Sequence, residues 1–369
     1  SLALFVALAL GSGALLAPST AGAADVSGQN VEIDDAHAPS DNAIAPGGGP
    51  AFGTAAGFIR TTTDSGNVTN NTLTLKNVGY TKHLYGGLTF GTGNVTGNHV
   101  TVNPATGPFL STADGIFGGV ANGSGNVEDN HAVFNGDWLN GDLVGGMTEG
   151  TGTGTVKDNT ALLKNGNAGS GSVYGGRAAA GTNGDVLHNQ ATIEKGFTET
   201  IYGGYADGDG NVKNNIVTIK GGLVAGAEGG HADGTGEVSG NTVNLGDGTS
   251  AMPVDYSING TIYGGRNEFH PEKVLNNTLN VNANAKAGNI KNFSTINFNF
   301  NAYTDTNHAL LELTLTKTKL NSLNQLYVKN AKVGKGILMW NSNEFEITDS
   351  TKVGRTEATT ETIIEKNSS

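Results

Sequence analysis

Asp207 and Asp209 fall in the stretch ADGDGN at 206–211, and Asp233 stands in HADGTG a short way on. Arg177 and Arg266 occupy neighbouring places in the frame of the chain. Carboxylates grouped with a cation are what cleavage of a polysaccharide requires, because one group must serve as acid while another serves as base or nucleophile. The equivalent positions elsewhere hold Thr, Asn or Ala, so a site and simple drift both account for the pattern. ADGDGN also invites a Ca²⁺ reading. Repeat-type Ca²⁺ sites place an Asp in every turn, whereas the matching stretch GLTFGTGNV at 87–95 has none. Solvated loop carboxylates are the favoured reading.

Other chemistry is thinly represented. The histidines show no metal-ligand spacing, and His99 and His131 each follow an Asn where a strand would point them outward. No G-x-S-x-G or H-E-x-x-H stretch occurs, which leaves serine hydrolase and zinc protease chemistry unsupported. Triplets such as Asn94-Val95-Thr96 are expected by chance in a chain so rich in Asn and Thr. The expectation is no catalytic residue, no cofactor and no metal.

The elements that would carry these residues repeat. LYGGLTFGTGNVTGNHVTV at 84–102 returns as IFGGVANGSGNVEDNHAVF at 116–134 and as IYGGYADGDGNVKNNIVTI at 201–219. The second half of the phrase can be written G-x-V-x-x-N-x-φ-x-φ, with φ apolar. Its Asn falls at Asn71, Asn98, Asn130, Asn159, Asn189, Asn215, Asn241 and Asn277, the last with Glu272 in place of the Gly. A degenerate ninth copy opens the mature chain with Val26, Gln29, Val31 and Ile33. The first half ends in paired glycines at Gly86-Gly87, Gly118-Gly119, Gly145-Gly146, Gly175-Gly176, Gly203-Gly204, Gly229-Gly230 and Gly264-Gly265. From Asn71 onward, successive Asn positions differ by 27, 32, 29, 30, 26, 26 and 36 residues. Two short phrases stay constant while the connections vary, as loops do on a rigid repeated frame.

Parity sets the geometry. Asn215, Val217 and Ile219 share one strand face, while Val212 has the opposite parity, so a bend must lie between Val212 and Asn215. Short strands joined by corners at this period describe one coil of a parallel β-solenoid, and no stretch of the repeats shows helical periodicity. The fold expected is all-β, a right-handed parallel β-helix of about nine repeats with a C-terminal β cap. Coils stack about 4.8 Å apart, which places each inward Asn over another. Its NH₂ can donate to its neighbour's amide oxygen and form a ladder that satisfies an otherwise costly buried amide. The paired glycines suit tight corners or positive φ. Tyr85, Phe117, Tyr174, Tyr202 and Tyr263 are expected to stack along an outer face, in a column interrupted by Val144 and Glu228.

The chain divides into a signal peptide at 1–23, an irregular first coil or tether at 24–60, the solenoid at 61–287, a capping module at 288–350 and a Thr/Glu-rich linker at 351–369. The leader rests on the apolar run Leu2–Leu10 and the small-residue site Ala21-Gly22-Ala23. Residue 1 is Ser, and the chain reads as a fragment cut inside that leader. No later stretch could span a membrane as a helix. Gly contributes 58 of 369 residues, charged residues 15%, and net charge is -12. Such a balance offers nothing to neutralise phosphates and excludes nucleic acid as a partner. With no cysteine, core and backbone pairing alone must hold an exported fold.

These motifs together resemble the passenger region of bacterial autotransporters, the type V secreted proteins often labelled adhesins or haemagglutinins. GNIKNFSTINFNF at 288–300 looks like the cap found where such passengers meet their translocator. The resemblance covers nearly the whole chain. It implies display at the cell surface through an outer-membrane β-barrel, and binding of host, bacterial or matrix surfaces through a glycan or protein ligand. No run of alternating membrane strands follows residue 350, so the fragment stops before the barrel or reaches the surface by another route. Polysaccharide lyase or hydrolase activity and a ligand-free spacer are the alternatives.

Overall fold

The computed structural model describes residues 24–33, 54–59, 62, 64–76, 83–103, 111–112, 115–150, 152–249, 257–299, 310–313, 325–329, 337–340, 352–355 and 364–367. The proposed leader at 1–23 lies outside the described residues. The protein is an all-β solenoid of stacked parallel coils, and among the described residues the only helical element is the single turn Pro271–Lys273.

One coil shows the plan. Val212–Lys213 is a short strand, Ile216–Ile219 a second, and Leu223–Ala232 a third, longer one. Between the first two sits Asn214 with φ 56°, and this left-handed residue is the corner that brings Val212 and Asn215 to the same interior despite their parity. Gly28, Asn70, Gly97, Asp129, Asp158, His188, Gly240 and Asn276 take the same conformation at the same place. Gly, Asn and Asp tolerate it best, which explains why the position is small or polar almost throughout.

Stacking is parallel and in register. The short strands form a nine-stranded sheet in which Val26, Val68, Val95, Val127, Val156, Val186, Val212, Val238 and Val274 lie one over another. The degenerate first copy therefore belongs to the stack, with Val31 over Leu73 and Ile33 over Leu75. Thr54–Ile59 joins it too, pairing Gly57 with Gly87. Inward columns such as Leu73, Val100, Ala132, Ala161, Ala191, Val217 and Val243 are fully buried, as are Leu84, Ile116, Leu143, Val173 and Ile201 on the facing wall. Each coil buries too little alone, so neighbouring coils supply the core.

Two polar ladders run beside this core. From Asn71 to Asn241, each ladder Asn donates its backbone N–H (2.9–3.0 Å) and its Nδ2 (2.8–3.2 Å) to Oδ1 of the Asn in the following coil. From Asn71 to Asn277, Nδ2 also donates to the Val carbonyl of the preceding coil, at 2.9–3.4 Å. Gln29 donates its N–H to Asn71 Oδ1 and starts the column. A second ladder uses the variable residue before each short-strand Val. Asn67 donates its N–H to Asp25, Asn94 to Asn67, Asn126 to Asn94, Thr155 to Asn126, Asn211 to Asp185 and Glu237 to Asn211. Its donors point to the preceding coil, opposite to those of the buried ladder.

Beyond Gly288, where the repeated phrase stops, the stack itself goes on. The short-strand column ends at Val274–Leu275, and Ser294 stands where the next ladder Asn would be, donating its N–H to Asn277 O and accepting from Asn276 N–H. Parallel pairing continues on the remaining faces, Thr278 to Thr295 to Gln325 to Lys352 and Ala285 to Leu311 to Ile337 to Ile364. The last strands, Lys352–Arg355 and Ile364–Asn367, lie within the segment read from sequence as a linker. Among the described residues the short face has no strand after Val274–Leu275, a left-handed residue remains at Asn292 with φ 60°, and the strand-on-strand register continues without the short face.

Candidate binding crease

The paired glycines do not supply a left-handed turn. None of Gly86, Gly87, Gly118, Gly119, Gly145, Gly146, Gly175, Gly176, Gly203, Gly204, Gly229, Gly230, Gly264 or Gly265 has positive φ; the left-handed corner belongs to the residue before the ladder Asn. All the pairs but Gly264-Gly265, which follows the strand Ser257–Tyr263, lie inside strands, and space explains them. A Cβ on Gly204 would come within 2.6 Å of Asn215 Cγ, and one on Gly119 within 2.5 Å of Asn130 Cγ. A Cβ on the first glycine would strike backbone instead, Gly175 meeting Gly203 O at 2.5 Å and Gly203 meeting Gly229 O at 2.4 Å. Glycine pair and ladder Asn are one device: the amide occupies room that the missing side chains leave.

The strand folds inward at each pair, so the residues on either side of it face one another across an outer crease. One wall carries Tyr85, Phe117, Val144, Tyr174, Tyr202, Glu228 and Tyr263 in register. The other carries Leu88, Val120, Met147, Arg177, Tyr205, His231 and Arg266. The aromatic column stacks, with Tyr85 over Phe117 at 5.1 Å and Tyr174 over Tyr202 at 4.9 Å. It is not an open face, however: Tyr85, Phe117 and Tyr174 are only 6–8% exposed, covered by the opposite wall in a second apolar cluster with Leu88, Val120 and Met147. Sequence parity identified the outward direction but could not register the fold at the glycines that closes the two walls together.

Along the axis the crease changes chemistry. Its first half is apolar. At Tyr174 it becomes polar and partly open, with Tyr202, Tyr205, Arg177 and Arg266 half-buried. Arg177 lies 5.1 Å over the Tyr174 ring and 5.6 Å over Tyr205, and it pairs with Asp207 at 3.3 Å and Asp142 at 3.5 Å. Tyr205 donates its hydroxyl to Asp233 Oδ2 at 2.7 Å. His231 bridges Glu228 (2.6 Å) and Asp233 (2.9 Å), and Arg266 reaches Glu228 at 3.1 Å and Glu268. Burial and the Asp142 carboxylate push the Tyr174 phenol up to about 12. Burial also raises Tyr202 and Tyr205, so these hydroxyls remain neutral donors.

Of the carboxylates singled out in the sequence, Asp207 and Asp233 border the crease on successive coils. Asp209 does not join them. It accepts the Thr235 N–H at 2.8 Å in the exposed loops, where that backbone bond lowers its pKa. Among the described residues, no group of three or more His, Cys, Asp or Glu is placed to hold a metal ion. His99 and His131 stack at 4.5 Å on the sheet's outer face. Sequence reasoning missed the second wall, Arg177, Tyr205 and His231 as partners of the aromatic column. Their signal is their place, directly after the glycine pair in each copy. Comparison with family models, characterised proteins and solved structures gave no match to this chain.

Proposed function

We propose that this chain is a surface-displayed binding protein of bacterial autotransporter type, an adhesin-like passenger that engages host, bacterial or matrix surfaces. The observation that carries the reading is the half-open crease from Tyr174 to Arg266. There, half-buried tyrosine rings lie beside arginines and carboxylates on a frame whose positions are fixed by register. Such a mixture suits sugar rings or planar side chains, which present an apolar face and polar rims. A rigid solenoid repeats weak contacts along its length and gains from multivalency. Export through an outer-membrane barrel is the route that accords with the leader-like start and the absence of cysteine.

The test is binding of the purified chain to cells and to an array of glycans. Tyr205→Ala and Arg177→Ala are expected to reduce binding at least tenfold while leaving circular dichroism unchanged. Retained binding in both variants would remove the crease from the mechanism, and no binding by the parent would leave a spacer. Release of product from a polysaccharide, abolished by Asp207→Asn, would replace binding with catalysis.

A further inference from the structure

At Glu228 and His231 the crease exchanges aromatic and aliphatic residues for buried ionisable ones. The His231 side chain is 9% exposed and that of Glu228 5%. His231 Nδ1 lies 2.6 Å from Glu228 Oε2, and Nε2 lies 2.9 Å from Asp233 Oδ1. Ionised carboxylates only accept hydrogen bonds, and a neutral imidazole has a single N–H. Both contacts are therefore hydrogen bonds only when the ring carries two protons.

The surroundings are built for that charge. From the preceding coil, Tyr205 stacks on the ring at 4.6 Å, Tyr202 meets it edge-on, and Asp207 stands paired with Arg177. From its own coil come Glu228 and Asp233. From the following coil come Arg266, which binds Glu228 and Glu268, and Tyr263, whose ring lies under Arg266. Burial opposes the charge on His231, but the hydrogen bonds and fields of Glu228, then Asp233, outweigh it and raise its pKa.

We infer that His231 is an imidazolium latch that holds Glu228 and Asp233 of its own coil in place for Arg266 of the following coil and Tyr205 of the preceding one, and that loss of its proton opens the C-terminal part of the crease. Deprotonation leaves a bare ring nitrogen opposite a carboxylate oxygen, acceptor against acceptor. Asp233 is the more exposed partner, at 44% against 5% for Glu228, and can rehydrate at least cost. The remaining proton stays on Nδ1 toward Glu228, and the Asp233 arm swings free with its bond to Tyr205. Because the folded pKa is raised, the stabilisation is complete below the ordinary histidine value of about 6.5. It is lost as pH rises through the higher folded value.

This inference stands apart from the adhesin reading and is tested without a ligand. In the isotopically labelled full chain, the histidine ring resonances are followed by NMR from mildly acidic to mildly alkaline pH. The His231 signal, assigned through its bonds, is expected to titrate above those of the exposed histidines, and the thermal midpoint to fall over the same interval. In His231→Gln that fall should disappear. A His231 titrating at or below the exposed histidines would overturn the latch, as would midpoints falling in parallel in the two proteins. If His231→Gln does not fold, the titration of the unaltered chain decides alone.

Discussion

Asn215 concentrates the argument at the scale of single residues. Its amide receives Asn189 N–H and Nδ2 at 2.9 and 3.0 Å and donates to Asn241 and Val186. Asn215→Leu strands those buried donors together, and each unsatisfied group costs about 1–3 kcal/mol. The loss should stand at or above the top of that range, read as a lowered urea midpoint. Asn211→Ala breaks the outer ladder at a half-buried position, where water can reach the lost partners, and is expected to cost about 1 kcal/mol. His188 occupies the left-handed corner with φ 56°, so His188→Gly should be tolerated while His188→Val loses about 1–2 kcal/mol. The buried ladder was legible because one residue type in one frame demands a partner. The outer ladder was not, because any side-chain oxygen serves and the position reads as a variable x. His231 was likewise hidden: its chemistry comes from Glu228, Asp233 and Tyr205, which only the stacking of coils assembles.

Strands show the difference between glycines that are needed and glycines that are merely present. Leu223–Ala232 contains both kinds. A Cβ on Gly226 would meet nothing nearer than Thr200 Oγ1 at 3.5 Å, whereas one on Gly229 would lie 2.4 Å from Gly264 O. Gly226→Ala is therefore expected to leave stability unchanged or raise it by about 0.4–1 kcal/mol, through the unfolded chain. Gly229→Ala should lose about 1–3 kcal/mol, because backbone must move to admit the methyl group. Thermal unfolding of the two variants side by side checks both. The repeated strand and its parity could be read from the phrase. Why two glycines stand together could not, since the reason is a distance between coils rather than a preference within one.

For the whole molecule, the repeat announced the solenoid, and the register of valines and asparagines carried it through coils of unequal length. Function was less legible, because a crease is made by residues far apart in sequence, and the adjacent walls share no motif beyond their offset from the glycines. The buried ladder also gives the molecule a direction. From Asn71 to Asn241, each Asn offers its N–H toward the C-terminal neighbour and its oxygen toward the N-terminal one. Within this ladder the two ends of a cut stack are unlike: removal of C-terminal coils leaves an Asn backbone N–H without its Oδ1 partner, while removal of N-terminal coils leaves an Oδ1 without its donors. Proteins tolerate an under-used oxygen better than an orphaned N–H. A chain shortened before Asn71 should therefore keep more of its thermal midpoint than one that ends just after Asn241. In the intact protein, Asn276 and Ser294 occupy that donor end, so the boundary the molecule can least afford to lose is the one where the written repeat has already stopped.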